Sequence, residues 1–430
     1  MTILETRQST DAEALRIFLK LIRPRPLADP YPLYARLRDL APFLPIRFPG
    51  VPQGYLVSTF ASCSRLLREP AFGPPTREHL DALNPDWRDN SFTDCLYRSM
   101  VFRTGASHRE RRQVASRHFA PRHIGNYRAE LERIADLLID RLALAGDSPV
   151  DLVENLAIPF AALSLGRLLD IDDDEAIRLG RLARQAGGVF EQFASARQHE
   201  VILKAGEELV DRLTVIVAGR RESEAGNDLL ASLAASETGN DQQELVGAAA
   251  LLFGAGFDSP ASMVGLGTKL LLDHPQQAHL VRKYPEIAPG AVAEILRYEP
   301  PVQLVVRAAL KPAELEGREV PAGSMVFGLI AAANRDPAQV KEPEVFDVTR
   351  EQVTSLSFGA GPHYCLGAYL AGMQGEILFP RLLRRFPRMQ LAGEPVYREP
   401  GSTLRGLDAL PLKLLLFITD WGIPTAKAGA

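Results

Sequence analysis

Cysteine is scarce in this chain of 430 residues: Cys63, Cys95 and Cys365 are the only three, and they lie far apart. A disulfide scaffold is excluded, as is any short-spaced zinc pattern, and a reducing compartment is the natural home. Long apolar runs are missing too. The N-terminus has no apolar stretch followed by a small-residue cleavage site, and nothing approaches the 18 residues of a membrane span. The most apolar stretch, Leu245 to Leu272, contains Asp258, Pro260 and several glycines, which suits a buried helix. A basic excess is also absent. With 49 Lys+Arg against 53 Asp+Glu the net charge is -4, the wrong sign for a nucleic-acid binder. Neither an internal repeat nor a Gly/Ser-rich linker divides the chain.

What is present reads as ordinary globular protein, 46% hydrophobic and 24% charged. The length allows two to four domains or one large one. A fold of this size buries roughly three-quarters of its unfolded surface. Gly54–Ser58 reads as a strand and Phe60–Arg68 as a helix. Residues 70–105, rich in Pro, Gly and Asn, read as a long irregular loop of the kind that carries function. Helical periodicity then dominates from His108 to about Leu272, with Leu131, Ile134, Leu137, Leu138 and Leu142 on one apolar face and Asn240 or Asp241 as N-cap of the longest helix. After Pro300 short strands are expected at Leu304–Ala308, Arg318–Val320 and Met325–Ile330. A last helix runs from Leu366 to about Arg385, interrupted at Pro380, and residues 395–418 suit a final hairpin. The pattern is mainly α, an α+β arrangement with small β-elements segregated to one side.

The most informative segment is Ser357-Phe-Gly-Ala-Gly-Pro-His-Tyr-Cys-Leu-Gly-Ala368. A cysteine just before a helix start is placed where backbone N–H groups favour its thiolate. Gly359, Gly361 and Gly367 permit a tight backbone path beside a large flat ligand. Taken alone, Cys365 has two further readings: a buried structural cysteine, or a nucleophile with His363 as base. The full string Phe358-Gly-x-Gly361-x-His363-x-Cys365-x-Gly367 resembles the haem-binding loop of the cytochrome P450 family. The resemblance implies that Cys365 is the axial thiolate of haem iron, that Phe358 packs near the sulfur and that His363 meets a propionate. A thiolate ligand favours O–O cleavage.

Other segments resemble the same family in the same order. Glu294 and Arg297, at i,i+3 on one helix face, with Arg350 further on, match its structural Glu–Arg–Arg triad. Leu251-Leu-Phe-Gly-Ala-Gly-Phe-Asp-Ser-Pro-Ala261 matches the helix that crosses the haem. There the resemblance assigns Asp258 to proton delivery and Ser259 to holding oxygen and water, making these the catalytic pair. Without the resemblance, Asp258 reads equally well as a polar residue paired with a neighbouring helix. Ser259 stands where Thr is more usual, and Pro260 cannot donate to the Gly256 carbonyl, which predicts a kinked, locally widened helix. His108 and Arg112, at i,i+4, and Arg307 match propionate contacts. Ala333-Asn-Arg-Asp-Pro337 matches a structural segment. Gly372 and Gln374 depart from the family's usual Arg and Glu.

The resemblance covers residues 30 to 415 and implies one domain spanning 1–430, with residues 1–25 as an N-terminal extension and 420–430 as a tail. The implied fold is a large helical body with small β-sheets enclosing haem b. The implied activity is a ferredoxin-dependent monooxygenase, hydroxylating or epoxidising a small molecule of bacterial secondary metabolism such as antibiotic biosynthesis. The length leaves no room for a fused reductase, and Gly254-Ala-Gly256 lacks the context of a dinucleotide fingerprint. Residues 108–122 carry five arginines against Glu110, and residues 372–388 carry four against Glu376. Arg109, Arg111, Arg117, Arg381, Arg384 and Arg385 are therefore expected to form a basic face steering an acidic ferredoxin. Phe253, Phe257, Leu304 and Val305 are candidate substrate contacts. A cytoplasmic monomer without a membrane span is expected. A substrate tethered to a carrier protein, or haem binding without oxygen chemistry, are the alternatives.

Overall fold

The computed structural model describes residues 2–23, 27–48, 51–146, 148–191, 195–222, 229–234, 241–399 and 403–414. Its centre is the helix Gln242–Asp273, which Asp241 caps by accepting from the Gln243 N–H at 2.9 Å. Asn240 lies outside the described residues. This helix meets the test of length and composition for crossing a membrane, but 78% of its most apolar window is buried inside the protein. Helices Ser91–Arg98, Ile158–Leu169, Asp173–Ala186 and Ala196–Glu222 pack around it. Small residues permit the close crossings. A Cβ on Gly247 would stand 2.4 Å from the carbonyl oxygen of Cys95, so only glycine fits there.

The β-structure sits to one side. Five strands pair in the order Phe43–Phe48, Val51–Val57, Met325–Leu329, Leu304–Ala309, Phe72–Gly73, with Val51–Val57 and Met325–Leu329 parallel. Val396–Tyr397 pairs with Leu407–Ala409, as expected of a hairpin, whereas residues 415–430 lie outside the described set. At the other end, Thr2–Leu21 is a helix that buries Ala14, Ile17 and Phe18 against the same sheet's core, so the segment expected as an extension is packed.

Three expectations need correction. The loop at 70–105 contains helices Arg77–Leu83 and Ser91–Arg98, each with a Thr or Asn before it as N-cap; their short length hid them beside the prolines. Helix Ala368–Arg385 runs on through Pro380 and is not interrupted there; the central helix likewise stays helical through Pro260, where a kink, not a break, is the expectation. In both, burial on several sides outweighs one missing ladder bond. Leu137 is 42% exposed, off the apolar stripe.

A buried ion-pair cluster fixes the approach to Cys365. Arg297 and Glu294 are fully buried and paired through two contacts of 2.7 Å, and Arg350 Nε donates to Glu294 at 3.1 Å. Arg297 also donates to the carbonyls of Pro343 and Val345, and Arg350 to those of Lys341, Glu342 and Val345. Next along, Asn334 accepts from the Leu356 N–H at 2.7 Å and donates to Ser357 Oγ at 2.8 Å. Arg335 is held between the rings of Tyr31 and Tyr298, 3.4 and 3.5 Å from their centroids. The strand-free run from 334 to 357 is thus fastened side chain to backbone, which delivers residue 358 to a fixed place.

Candidate haem-thiolate site

The loop that follows is shaped by two glycines with positive φ, Gly359 at 71° and Gly361 at 67°. The Cys365 N–H returns to the Phe358 carbonyl at 2.8 Å and closes the turn. Cys365 thereby faces a cavity of about 340 Å³ between this loop and the central helix. Its sulfur is open to that cavity while protein encloses its other sides. Burial pushes the thiol above its ordinary range, and the Gly367 N–H and the Arg112 charge oppose that push. The helix itself begins only at Ala368, so the expected thiolate preference from a helix N-terminus is outweighed by burial.

His108, Arg112, Arg307, Phe358, His363 and Gly367 all line the same cavity, with Ser259 and Pro260 across from them. The His108 and His363 rings lie 4.1 Å apart between centroids. Burial, then His108, Arg307 and Arg112, push His363 down to about 3. Arg112 has no hydrogen bond or ion pair among the described residues, and burial pushes it down. Arg307 donates only to the Val306 carbonyl and is pushed down to about 10 by burial. Two half-buried guanidiniums facing a cavity without counter-charge are costly unless an anion joins them. A flat dianionic group with a thiolate-seeking metal fits this set of residues: two cations and two imidazoles at the rim, one sulfur on the floor. Among the described residues no cluster of His, Cys, Asp and Glu offers a competing metal site.

Several sequence assignments do not reach the cavity. Asp258 does not line it. The carboxyl is 1% exposed and pairs with Arg398 from the C-terminal hairpin, with Arg184 Nη1 at 3.9 Å. Burial would push Arg398 down, but Asp258 holds it above its ordinary value. A residue turns 100° from its helical neighbour, so Ala255, Ser259 and Met263 share the cavity face while Asp258 looks away. The same geometry removes Phe253 and Phe257, both fully buried in the helical core; Phe257 fills the space over Gly180. Leu304 belongs to the sheet's own core, whereas Val305 and Arg307, on the opposite strand face, line the cavity. Met100 and Val101, from the segment 70–105 expected to carry function, also line it, as do Leu251, Leu252 and Val302, which were missed. The i, i+4, i+8 spacing from Ala255 through Ser259 to Met263 was the available signal; nothing in sequence pointed to Arg398.

The basic face is also altered. Arg111 is spent on Glu244 at 2.6 Å, Arg381 on Asp136 and Glu132, and Arg385 reaches Asp140 at 3.5 Å. The acids come from helices remote in sequence. Arg109, Arg117 and Arg384 remain exposed and without ion pairs among the described residues.

Comparison with known proteins agrees with this geometry. The family model described as Cytochrome P450 matches residues 286–402. The 6-deoxyerythronolide B hydroxylase of Saccharopolyspora erythraea is 33% identical over 399 residues, covering 90% of this chain and 96% of that protein. The crystal structure of P450BioI in complex with hexadec-9Z-enoic acid ligated acyl carrier protein superposes with TM-score 0.82 at 26% identity, covering 90% of this chain and 99% of that one. That of myxobacterial cytochrome P450 CYP267B1 in complex with myristic acid gives 0.82 at 28%, covering 93% and 99%. With a cysteine-floored cavity rimmed by unpaired cations and a relative this similar along nearly its whole length, the chain belongs to the cytochrome P450 family and is a bacterial-type P450 monooxygenase.

Proposed function

We propose that this protein inserts one oxygen atom from O2 into a largely apolar small molecule of secondary metabolism, by hydroxylation or epoxidation. Cys365 would hold the iron of haem b, the cofactor, through its thiolate. The observation that carries the reading is the placement of Cys365 beneath a cavity whose rim holds Arg112 and Arg307 without counter-ions. Those guanidiniums, with His108 and His363, would hold the propionates, and Phe358 would shield the sulfur. Bound there, haem supplies the redox chemistry that activates oxygen. The chain's own residues do the rest. Ser259 offers a hydroxyl at the cavity face, and Met100, Val101, Leu252, Ala255 and Val305 hold an apolar substrate and exclude water. We place the enzyme in the cytoplasm as a single-domain monomer. A separate ferredoxin would reduce it at the Cys365 side, steered by Arg109, Arg117 and Arg384, which are exposed and have no ion pair among the described residues. Reversing the charge of Arg109 and Arg117 should slow reduction at low salt; unchanged rates would remove that docking face.

A second reading, in which the substrate is an acyl group on a carrier protein, is favoured by the fold likeness to P450BioI, whose structure holds such a carrier. The decisive test of the main reading is the spectrum of the reduced protein with carbon monoxide. A red-shifted Soret band is expected, and its absence in folded, haem-loaded protein would refute Cys365 ligation. Cys365→His should abolish monooxygenation.

A further inference from the structure

Once the rim cations, the two imidazoles and Cys365 are assigned to haem, four polar side chains remain on the cavity wall among the described residues: Ser259, Ser357, Tyr364 and Gln374. Two of these are accounted for. Ser357 Oγ accepts from Asn334 at 2.8 Å and donates to the Leu296 carbonyl at 2.7 Å, and the Tyr364 side chain is exposed. Gln374 and Ser259 are the other two.

Gln374 lies one helical turn after Leu370 on the cavity face of helix Ala368–Arg385. It is 1% exposed, and its side chain makes no hydrogen bond among the described residues, Oε1 included. An amide sealed from water without a partner is costly. Where the family usually carries Glu, this amide offers a donor as well as an acceptor.

Ser259 makes no hydrogen bond among the described residues either. Hydroxyls within other helices of the chain return to the carbonyl four residues back: Ser164 to Phe160 at 2.6 Å and Thr214 to Val210 at 2.8 Å. Ser259 lacks that anchor, and it lacks the methyl group that restricts the rotamers of Thr. Asp258 cannot orient it, being paired with Arg398 on the far side of the helix. Pro260 adds a third unmet group: it brings no N–H to the carbonyl of Gly256, which lines the same cavity.

The wall therefore presents an amide, a hydroxyl and a carbonyl, borne by two helices that pack directly against each other. A buried water makes about three hydrogen bonds to such groups. We propose that Gln374 is a positioning residue for the reaction: its amide holds a water, shared with the Gly256 carbonyl, that hydrogen-bonds Ser259 and sets the direction of its hydroxyl. The inference rests on the monooxygenase reading above and deepens it at Ser259. An amide neither gains nor loses a proton near neutral pH, so Gln374 orients the water and does not supply the proton.

The test uses haem-loaded protein that has already given the red-shifted carbon monoxide band, so that failure of the haem reading is seen separately. A crystal structure of the wild type should show a water within hydrogen-bond distance of both the Gln374 amide and Ser259 Oγ; a wall without one would overturn the proposal, even if every variant failed to fold. In the reduced carbon monoxide form, the infrared C–O stretch reports the polar groups around the bound gas. Ser259→Ala should shift it. Gln374→Met, close in size but without donor or acceptor, should shift it in the same direction, and the double variant should go no further than Ser259→Ala alone. Gln374→Glu, which keeps an acceptor for the water, should bring the band back toward wild type, which a merely structural role would not do. A band that Gln374→Met or Ser259→Ala leaves in place, shifts that add in the double variant, or no recovery in Gln374→Glu would each refute the assignment.

Discussion

Replacing Arg398 by methionine is the most direct probe of where Asp258 points. Arg398 is 8% exposed and Asp258 1%, and the two are in contact; Arg398 Nη2 also donates to the Arg184 carbonyl. Asp258 has one further cation, Arg184, at 3.9 Å, and its Oδ1 has no hydrogen bond. Removing the guanidinium leaves a buried carboxylate with little compensation, a loss of about 3–5 kcal/mol. At an unfolding entropy of about 2.1 cal/mol/K per residue, 430 residues give about 0.9 kcal/mol/K, so Tm should fall by about 4 °C. Removing the carboxylate as well, in Asp258→Leu with Arg398→Met, should recover most of the loss, because a buried ion pair replaced by apolar residues is near neutral. Urea unfolding of the four proteins of the cycle measures the coupling. An Arg398→Met protein within about 1 kcal/mol of wild type, or a double variant no better than that single one, would mean that Asp258 does not depend on Arg398 and faces elsewhere.

Three further outcomes follow from the site. Arg307→Leu should act with opposite sign on two states: the haem-free protein gains stability because a buried, unpaired cation is gone, while haem is lost to a competing acceptor about 10–100-fold faster; a change of the same sign in both would contradict the assignment. Gly361→Ala should reduce haem content sharply, since φ is 67° and the new Cβ would stand 2.5 Å from the Leu67 carbonyl oxygen, a backbone atom with nowhere to go. Glu130 is held down to about 2 by Arg133 and then Arg167. Its contribution is therefore present above the unfolded value of about 4.3 and lost as pH falls through about 2. Glu130→Gln should flatten the acid side of a stability–pH curve in that window and converge with wild type below it.

Cys365 was legible because its loop is local. Every residue that shapes the turn lies within ten positions, and the two glycines with positive φ are where the string puts them. The Glu294–Arg297 pair was legible for the same reason, being one helical turn apart. Legibility ended where a partner came from far along the chain. Charge counting along residues 108–122 and 372–388 left a basic excess, because Glu244, Asp136 and Asp140 meet these arginines from other helices. The helices inside 70–105 escaped because seven or eight residues hold too few apolar positions to establish a period against the surrounding prolines.

Asp258 illustrates a different limit. Its residue type and neighbours were read correctly, and the reading that placed it against a neighbouring helix was open beside the catalytic one. What separates them is a rotation of 100° between Asp258 and Ser259, together with the presence of a cation on the far side. The rotation was available from helical geometry once Ser259 was put on the cavity. The cation was not, since Arg398 is 140 residues away and sits just after a strand of two residues. A buried carboxylate without a partner would have turned toward the polar rim of the cavity or lost its charge. Arg398 and Arg184 together hold it on the outer side of the helix, so the C-terminal hairpin, and not the central helix alone, decides which way this acid faces.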